Sequence, residues 1–357
     1  MELSDLQKHI LEAPDKKIVV MSSAASGKSR LMVEKVRQLL LKGYDPKKIA
    51  VITFTNMAAA ELRQRLGADY KDGLFVGTIH SLANYMLLSA GIKTNSILSD
   101  GEFDELFEMV KAHPECVKPM DWVLVDEAQD TDKEQFEFLL EIINPSHFFL
   151  IGDIKQSIYG WRGARPDILL KIARAPDVTT FNMNENYRNG SNILTFAKKI
   201  IKVTGMEDRS ISKVKDNGTV TKCAFNLLTI SKTARSEEKY SDLAILTRTN
   251  KEIADIIAYL KRENIPYDTF KQGDLDKEEL IDRMNNNTVK VLTVHSAKGL
   301  EWKDVIVIGM RSGPAEEINI GYVAATRAKE NLIWMTTPTK PYRAKKKPEP
   351  KIKIYEW

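Results

Sequence analysis

Cysteine is nearly absent. The 357 residues hold two, Cys116 and Cys223, far apart in the chain. A disulfide framework and a cysteine-based zinc site therefore have no support. Long apolar runs are missing too: none approaches the roughly 18 residues of a membrane span. The opening MELSDLQKHI lacks the apolar core of a signal peptide. The chain reads as cytoplasmic, with no membrane partner. A charge excess is also lacking outside one segment. The net charge of +4 comes from 53 Lys+Arg against 49 Asp+Glu. In residues 337–357, Lys340, Arg343, Lys345, Lys346, Lys347, Lys351 and Lys353 face only Glu349 and Glu356, and the rest is slightly acidic. Basicity belongs to the tail and does not show that the body binds nucleic acid.

What is present is ordinary for a globular chain: 43% hydrophobic and 29% charged residues. At roughly 100–200 residues per domain, two domains are expected. Strand-like runs alternate with helical ones. Strands are expected at 18–21, 49–54, 122–125 and 148–151, with helices at 31–41, 57–66 and 191–203. A second series has strands at 243–246, 289–294, 305–308 and 332–335 and a helix at 252–260. This alternation predicts parallel α/β sheets. Thr131 and Glu134 suit a capping box opening a helix to about Ile143, and Ser99 with Glu102 suit another. Residues 205–218 read as a polar connector. The tail holds Pro338, Pro341, Pro348 and Pro350 and reads as flexible.

The chemistry starts at Ala24-Ala25-Ser26-Gly27-Lys28-Ser29, between a strand and a helix. Successive N–H groups at a helix start make an anion site. Lys28 would neutralise phosphates, and the Ser29 hydroxyl could ligate Mg2+. The first Gly of the phosphate-loop pattern is Ser22 here, and a chance Ser/Ala-rich turn is the plain alternative. Val123-Leu124-Val125-Asp126-Glu127 supplies the partner. An apolar strand would deliver Asp126 to the Mg2+ and Glu127 to a water. The plain alternative is an acidic helix start.

Read with Gln129 and Asp130, this string resembles the second motif of superfamily 1 helicases of the UvrD/Rep/PcrA type. Other motifs follow in order. They are Leu3-Ser4-x-x-Gln7, Thr53-Phe54-Thr55-Asn56, Gly77-Thr78-Ile79-His80-Ser81, Gly152 to Ala164, Asn184 to Arg188, Thr293 to Trp302, and Tyr322 to Ala328. The resemblance implies two RecA-like α/β domains with mainly parallel sheets and ATP in the cleft between them. They would span 1–186 and 187–337, followed by the tail at 338–357. It implies an ATP-dependent translocase or helicase on single-stranded DNA, moving 3′ to 5′, in replication, repair or recombination.

The resemblance also implies roles. Gln7 would read the adenine edge, Tyr187 would stack on the base, and Arg30 is a candidate neighbour. Gln156 would sense the γ-phosphate. Arg188 and Arg327 would serve as arginine fingers, and Glu301 would hold the ribose. For DNA the candidates are Phe54, Asn56, Thr78, His80, Tyr159, Trp161, Arg162 and His295. The aromatic ones are stacking platforms, with core packing as the plain alternative. Two departures stand out. Ala25 occupies a position where the family usually has Gly, so a positive φ there would strain it. Only residues 82–121 lie where the family carries a large insertion, and only about twenty precede Val289 where it carries another, so the accessory subdomains are nearly absent. The alternative function is an ATP-gated nucleic-acid binding or remodelling subunit that needs a partner. The tail is the candidate docking segment for one.

Overall fold

The computed structural model describes residues 2–94, 103–271, 275 and 277–336. The tail and the expected Ser99/Glu102 cap lie outside the described residues. Two six-stranded sheets, parallel throughout, organise the chain. The first contains β1 (Lys17–Ser22), β2 (Ile49–Ile52), β3 (Phe75–Gly77), β4 (Trp122–Val125), β5 (His147–Gly152) and β6 (Thr179–Met183). Their order is β3-β2-β4-β5-β1-β6. A small pair, β7 (Glu185–Asn186) and β8 (Ile211–Ser212), lies at the crossing to the second sheet. That sheet holds β9 (Thr219–Ala224), β10 (Leu243–Thr247), β11 (Tyr267–Asp268), β12 (Val289–Thr293), β13 (Trp302–Ile308) and β14 (Ala328–Thr336). The order is β11-β12-β10-β13-β14-β9.

Burial explains why the central strands read as unbroken apolar runs. Val123 and Val125 face one core, with Ala50, Ile52 and Leu150. Leu124 faces the opposite core, with Ile18, Val51 and Phe149. A parallel sheet covered on both faces needs hydrophobic residues at every position. The strands missed in the sequence lack that signature. β9 is an edge strand, largely exposed, and β6 reads Thr-Thr-Phe-Asn-Met. β3 has three residues.

Two further expectations are corrected. The capping box after β4 uses Asp132 and Gln135, opening the helix Lys133–Glu137, rather than Thr131 and Glu134. Thr131 sits one residue early because a 3-10 turn, Ala128–Asp130, takes up the chain first. The segment 205–218 is more than a connector: it contributes β8, and Asp208 and Ser210 are buried. Among the described residues no helix is long and apolar enough to cross a membrane.

The topology places the site. In the first sheet β5 lies between β4 and β1, so the turns after these three strands open side by side at the carboxyl edge. In the second sheet the segment after β12 carries the chain from that sheet's carboxyl edge back to the start of β13. His295 stands at one end of this crossing and Glu301 at the other.

Helix α1 (Asp5–Glu12) precedes β1, and α2 (Lys28–Leu41), which leaves the phosphate loop, carries Lys35, 1% exposed. Its ammonium lies 5.0 Å from the centroid of the Trp122 ring and 5.7 Å from that of Phe149, and it donates to Gln38 Oε1 at 3.3 Å. Burial lowers its pKa to about 8, with Lys42 adding to the effect. The folded chain thus binds this proton less well than the unfolded chain. Stability should rise with pH between about 8 and the ordinary 10.5. Lys35→Met should stabilise the protein at pH 7 by up to ~3 kcal/mol and remove that rise. Denaturant unfolding across this pH range checks both.

Candidate nucleotide site and nucleic-acid face

The phosphate loop forms where β1 ends and α2 begins. Ser22 closes the strand and donates its hydroxyl to the Gly152 carbonyl at 3.0 Å, which ties β1 to β5. Ala25 has φ +52° and Gly27 φ +86°. The first helical hydrogen bond runs from Leu31 N–H to the Gly27 carbonyl, so the N–H groups of Lys28, Ser29 and Arg30 have no acceptor within the helix. The Ser23 and Ser26 hydroxyls are buried with no partner among the described residues. Unmatched donors gathered at a helix start fit a polyphosphate. Ala24 packs inward, and its carbonyl accepts from Asn186 at 2.9 Å.

Charge is concentrated beside the loop. Lys28 Nζ lies 3.4 Å from Glu127 Oε1, and the Ser29 hydroxyl reaches Asp126 Oδ2 at 3.5 Å. Glu127 has φ +54°, a left-handed position for a non-glycine residue. Gln129, fully buried, donates to Glu127 Oε2 at 2.5 Å and accepts from Asp153 N–H. Burial, reinforced by the Glu127 charge, pushes the Asp126 carboxyl up. Burial acts the same way on Glu127, but Lys28 and Lys298 outweigh it and hold that carboxyl below its usual range. Glu127 is therefore a carboxylate at neutral pH. Ser29 and Asp126 offer a hydroxyl and a carboxylate oxygen, a donor set that suits Mg2+ shared with phosphates. No cluster of three or more His, Cys, Asp or Glu that could hold a metal occurs among the described residues.

The second sheet closes the cleft. Arg327, 2% exposed, donates to Gln156 Oε1 at 3.3 Å and to the Leu300 and Val323 carbonyls. Burial, with Arg188 nearby, lowers it to about 9, so it stays charged at neutral pH. Arg188 Nε donates to Glu301 Oε2 at 2.5 Å, and Lys329 holds the other oxygen at 2.9 Å. Gln7, Ala25–Arg30, Asp126, Glu127, Gln156, Tyr159, Tyr187, Arg188, Glu301 and Arg327 all line one cleft of about 870 Å3. At its outer end, Gln7 donates to the Ser26 carbonyl, Arg30 to the Glu2 carbonyl, and Tyr187 OH to Glu185.

The aromatic candidates divide. Phe54 and Tyr159 stack, with centroids 4.8 Å apart and an interplanar angle of 22°. Trp161 is 66% exposed, which excludes core packing, and the Arg162 guanidinium lies 4.9 Å from its ring. Asn56 is exposed at the first turn of α3 (Asn56–Leu66). His295 lies beside Tyr159 and meets the Ile158 carbonyl at 3.2 Å; burial keeps it below its usual pKa. Thr78 and His80 stand apart from this group. The Thr78 hydroxyl caps the helix Ile79–Ser89, and His80 stacks on Phe107 and meets Asp104 at 3.0 Å.

Sequence reasoning missed Lys298. It is partly buried, contacts Asp130 and the Gln156 carbonyl, and its ammonium lies 4.9 Å from the Tyr159 ring centroid. Its signal was present, three residues before Glu301 in a motif already singled out.

A family model described as the UvrD/REP helicase N-terminal domain matches residues 3–118 and 101–177. Two models described as UvrD-like helicase C-terminal domains match 181–284 and 288–335. The chain belongs to the UvrD/Rep helicase family. A probable DNA helicase of Mycoplasma pneumoniae is 25% identical, over 95% of this chain and 84% of its own length. The ATP-dependent DNA helicase Rep of Buchnera aphidicola is 27% identical, over 76% of this chain. DNA helicase II of Escherichia coli is 25% identical over 74%. The matches span only 58% and 51% of these two UvrD/Rep relatives.

Ala25 gives a direct test of the family departure. A left-handed alanine costs about 1–2 kcal/mol, and the extra unfolded-chain freedom of Gly costs about 0.4–1. Ala25→Gly should thus be neutral to ~1 kcal/mol stabilising. It should also tighten nucleotide binding if the loop's strain opposes the bound state. Thermal melting with and without nucleotide measures both.

Proposed function

We propose that this chain is an ATP-driven motor that moves along single-stranded DNA and separates duplex strands. The observation that carries this reading is the short stretch from Gln156 to Trp161. Its first residue meets Arg327 in the nucleotide cleft, and its last presents an exposed indole. A change in the cleft has a direct mechanical route to a base-stacking ring.

In this proposal the phosphates of ATP rest on the free N–H groups of α2, the Ser23 and Ser26 hydroxyls and Lys28 Nζ. Mg2+, held by Ser29 and Asp126, would supply charge neutralisation at the phosphate oxygens. Lys28 then leaves Glu127 for phosphate, which frees the Glu127 carboxylate to orient and deprotonate a water. Gln129 keeps Glu127 aimed. Arg327 is already in place beside Gln156, whereas Arg188 must exchange Glu301 for phosphate. That exchange frees Glu301 for a ribose hydroxyl. Gln7, Arg30 and Tyr187 take the adenine end.

The DNA strand would cross Phe54, Asn56, Tyr159, Trp161, Arg162 and His295. Thr78 and His80 join only if their present partners release them. The two domains are taken as 1–186 and 187–337. The basic tail would add a salt-sensitive attraction or hold a protein partner, and duplex/single-strand junctions are the expected substrate. The names of the relatives favour this motor over a partner-dependent binding subunit. ATPase rates with no nucleic acid, single-stranded DNA, single-stranded RNA and duplex test the reading; a rate indifferent to all three would overturn it.

Lys28→Ala and Glu127→Gln should each abolish hydrolysis, but only the first should weaken ATP binding. Near-normal turnover in Glu127→Gln would remove it from the reaction. Trp161→Ala should cost about 1–3 kcal/mol of single-strand affinity, the worth of one stacked base. Because the ring is exposed, melting temperature and DNA-independent ATPase should stay unchanged. A DNA titration and a melting curve on this one variant decide the assignment.

A further inference from the structure

Behind the cleft, Gln156 and Arg327 connect to a buried ion network whose charged members Asp153, Lys155 and Asp208 the proposed reaction does not use. The Asp153 carboxylate has no solvent exposure. It accepts from Gln156 Nε2 at 2.8 Å, from Lys155 N–H at 3.1 Å, and from Lys155 Nζ at 3.0 Å. Lys155 Nζ also stands 3.9 Å from Asp208 Oδ1. Asp208 belongs to the other half, in the segment between the helix Ser191–Ile201 and β9. Its second oxygen accepts from the Tyr322 hydroxyl at 2.9 Å, and Ser210 N–H donates to the first. Tyr322 is fully buried on the helix Ala315–Ala325 that leads into Arg327. Arg327 donates to Gln156. The contacts close a ring: Gln156, Asp153, Lys155, Asp208, Tyr322, the helix, Arg327 and Gln156 again. The ring crosses between the two halves twice.

We infer that Lys155 and Asp208 are positioning residues for ATP hydrolysis, forming a latch that biases the halves toward closure and sets Gln156 against Arg327. This rests on the proposed ATPase reading. The physical reason is the buried charge. Lys155 and Asp208 are each 8% exposed. Separating the halves would strip Asp208 of the Lys155 ammonium and weaken, in water, an attraction that burial makes strong. Closure restores its cation. Asn319, on the same helix, donates to the Ser157 carbonyl at 2.9 Å, so the latch sits in a surface already shaped to dock.

The test uses Asp208→Asn, which keeps the shape and an acceptor for Tyr322, Lys155→Met, and the double variant of the full chain. Without nucleotide, small-angle X-ray scattering should show a larger radius of gyration for each variant than for the parent. The single-strand-stimulated kcat should fall about tenfold while KM for ATP changes less than about twofold. The double variant should be no slower than either single one, and Lys155→Arg should recover most of the rate. Unchanged scattering or unchanged kcat in folded Asp208→Asn protein overturns the latch, as do additive losses in the double variant. If the parent protein hydrolyses no ATP, the motor reading fails by itself, and the scattering comparison still decides the latch.

Discussion

Buried carboxylates at the carboxyl edge of the first sheet constrain everything else. Asp126, Asp130 and Asp153 are each at most 8% exposed, and Glu127 lies among them. Carboxylates in such a place either take up protons or find cations. Both solutions appear. Asp130 is pushed up to about 6 by burial, even with Lys298 against it. Glu127 is held charged by Lys28 from its own half and Lys298 from the other. Cations from the second sheet are thus part of the electrostatics of the first. The cleft is a contact that both halves need, and a ligand that alters its charge alters how the halves meet.

The crossing after β12 shows how a short chain segment serves two surfaces. A parallel connection must carry the chain from one edge of the sheet to the other. Here its start holds His295 beside Tyr159, its middle holds Lys298 against Asp130, and its end holds Glu301 beside Arg188. The stretch Gly152 to Ala164 makes the matching traverse on the first half, from Asp153 through Gln156 to the exposed Trp161. Each sheet thus supplies one continuous segment touching both the nucleotide cleft and the aromatic face. These segments meet where Lys298 contacts the Gln156 carbonyl and lies over Tyr159.

Much of this was legible in the sequence, for identifiable reasons. The central strands announced themselves because burial on both faces demands apolar residues throughout. The phosphate loop and Asp126-Glu127 were legible because chemistry fixes both residue type and spacing. The edge strand β9 was not, because one exposed side relaxes its pattern. Thr78 and His80 were assigned to DNA on motif alone. The sequence did not reveal that a helix cap and an Asp104 carboxylate already engage them. Asp208 was unreadable for a related reason. A carboxylate in a polar stretch looks solvated until the fold closes Lys155 and Tyr322 around it.

Strain is placed with the same economy. Of the four non-glycine residues with positive φ among those described, two, Ala25 and Glu127, flank the nucleotide site. Neither side chain gains anything locally from a left-handed backbone. Surrounding contacts impose it. The Ala25 carbonyl is fixed by Tyr187 N–H, and the Glu127 carboxylate by Gln129 and Lys28. A backbone held in an unfavourable region by several partners stores energy of order 1–3 kcal/mol per residue. Those partners include Tyr187, just after β7, where the chain leads into the second half. The strain in the phosphate loop therefore depends on contacts between the halves. Opening the cleft would relax the loop's backbone as well as withdraw Arg188 and Arg327. In the proposed reaction both changes act in one direction, toward a site that would bind phosphate less well when open than when closed.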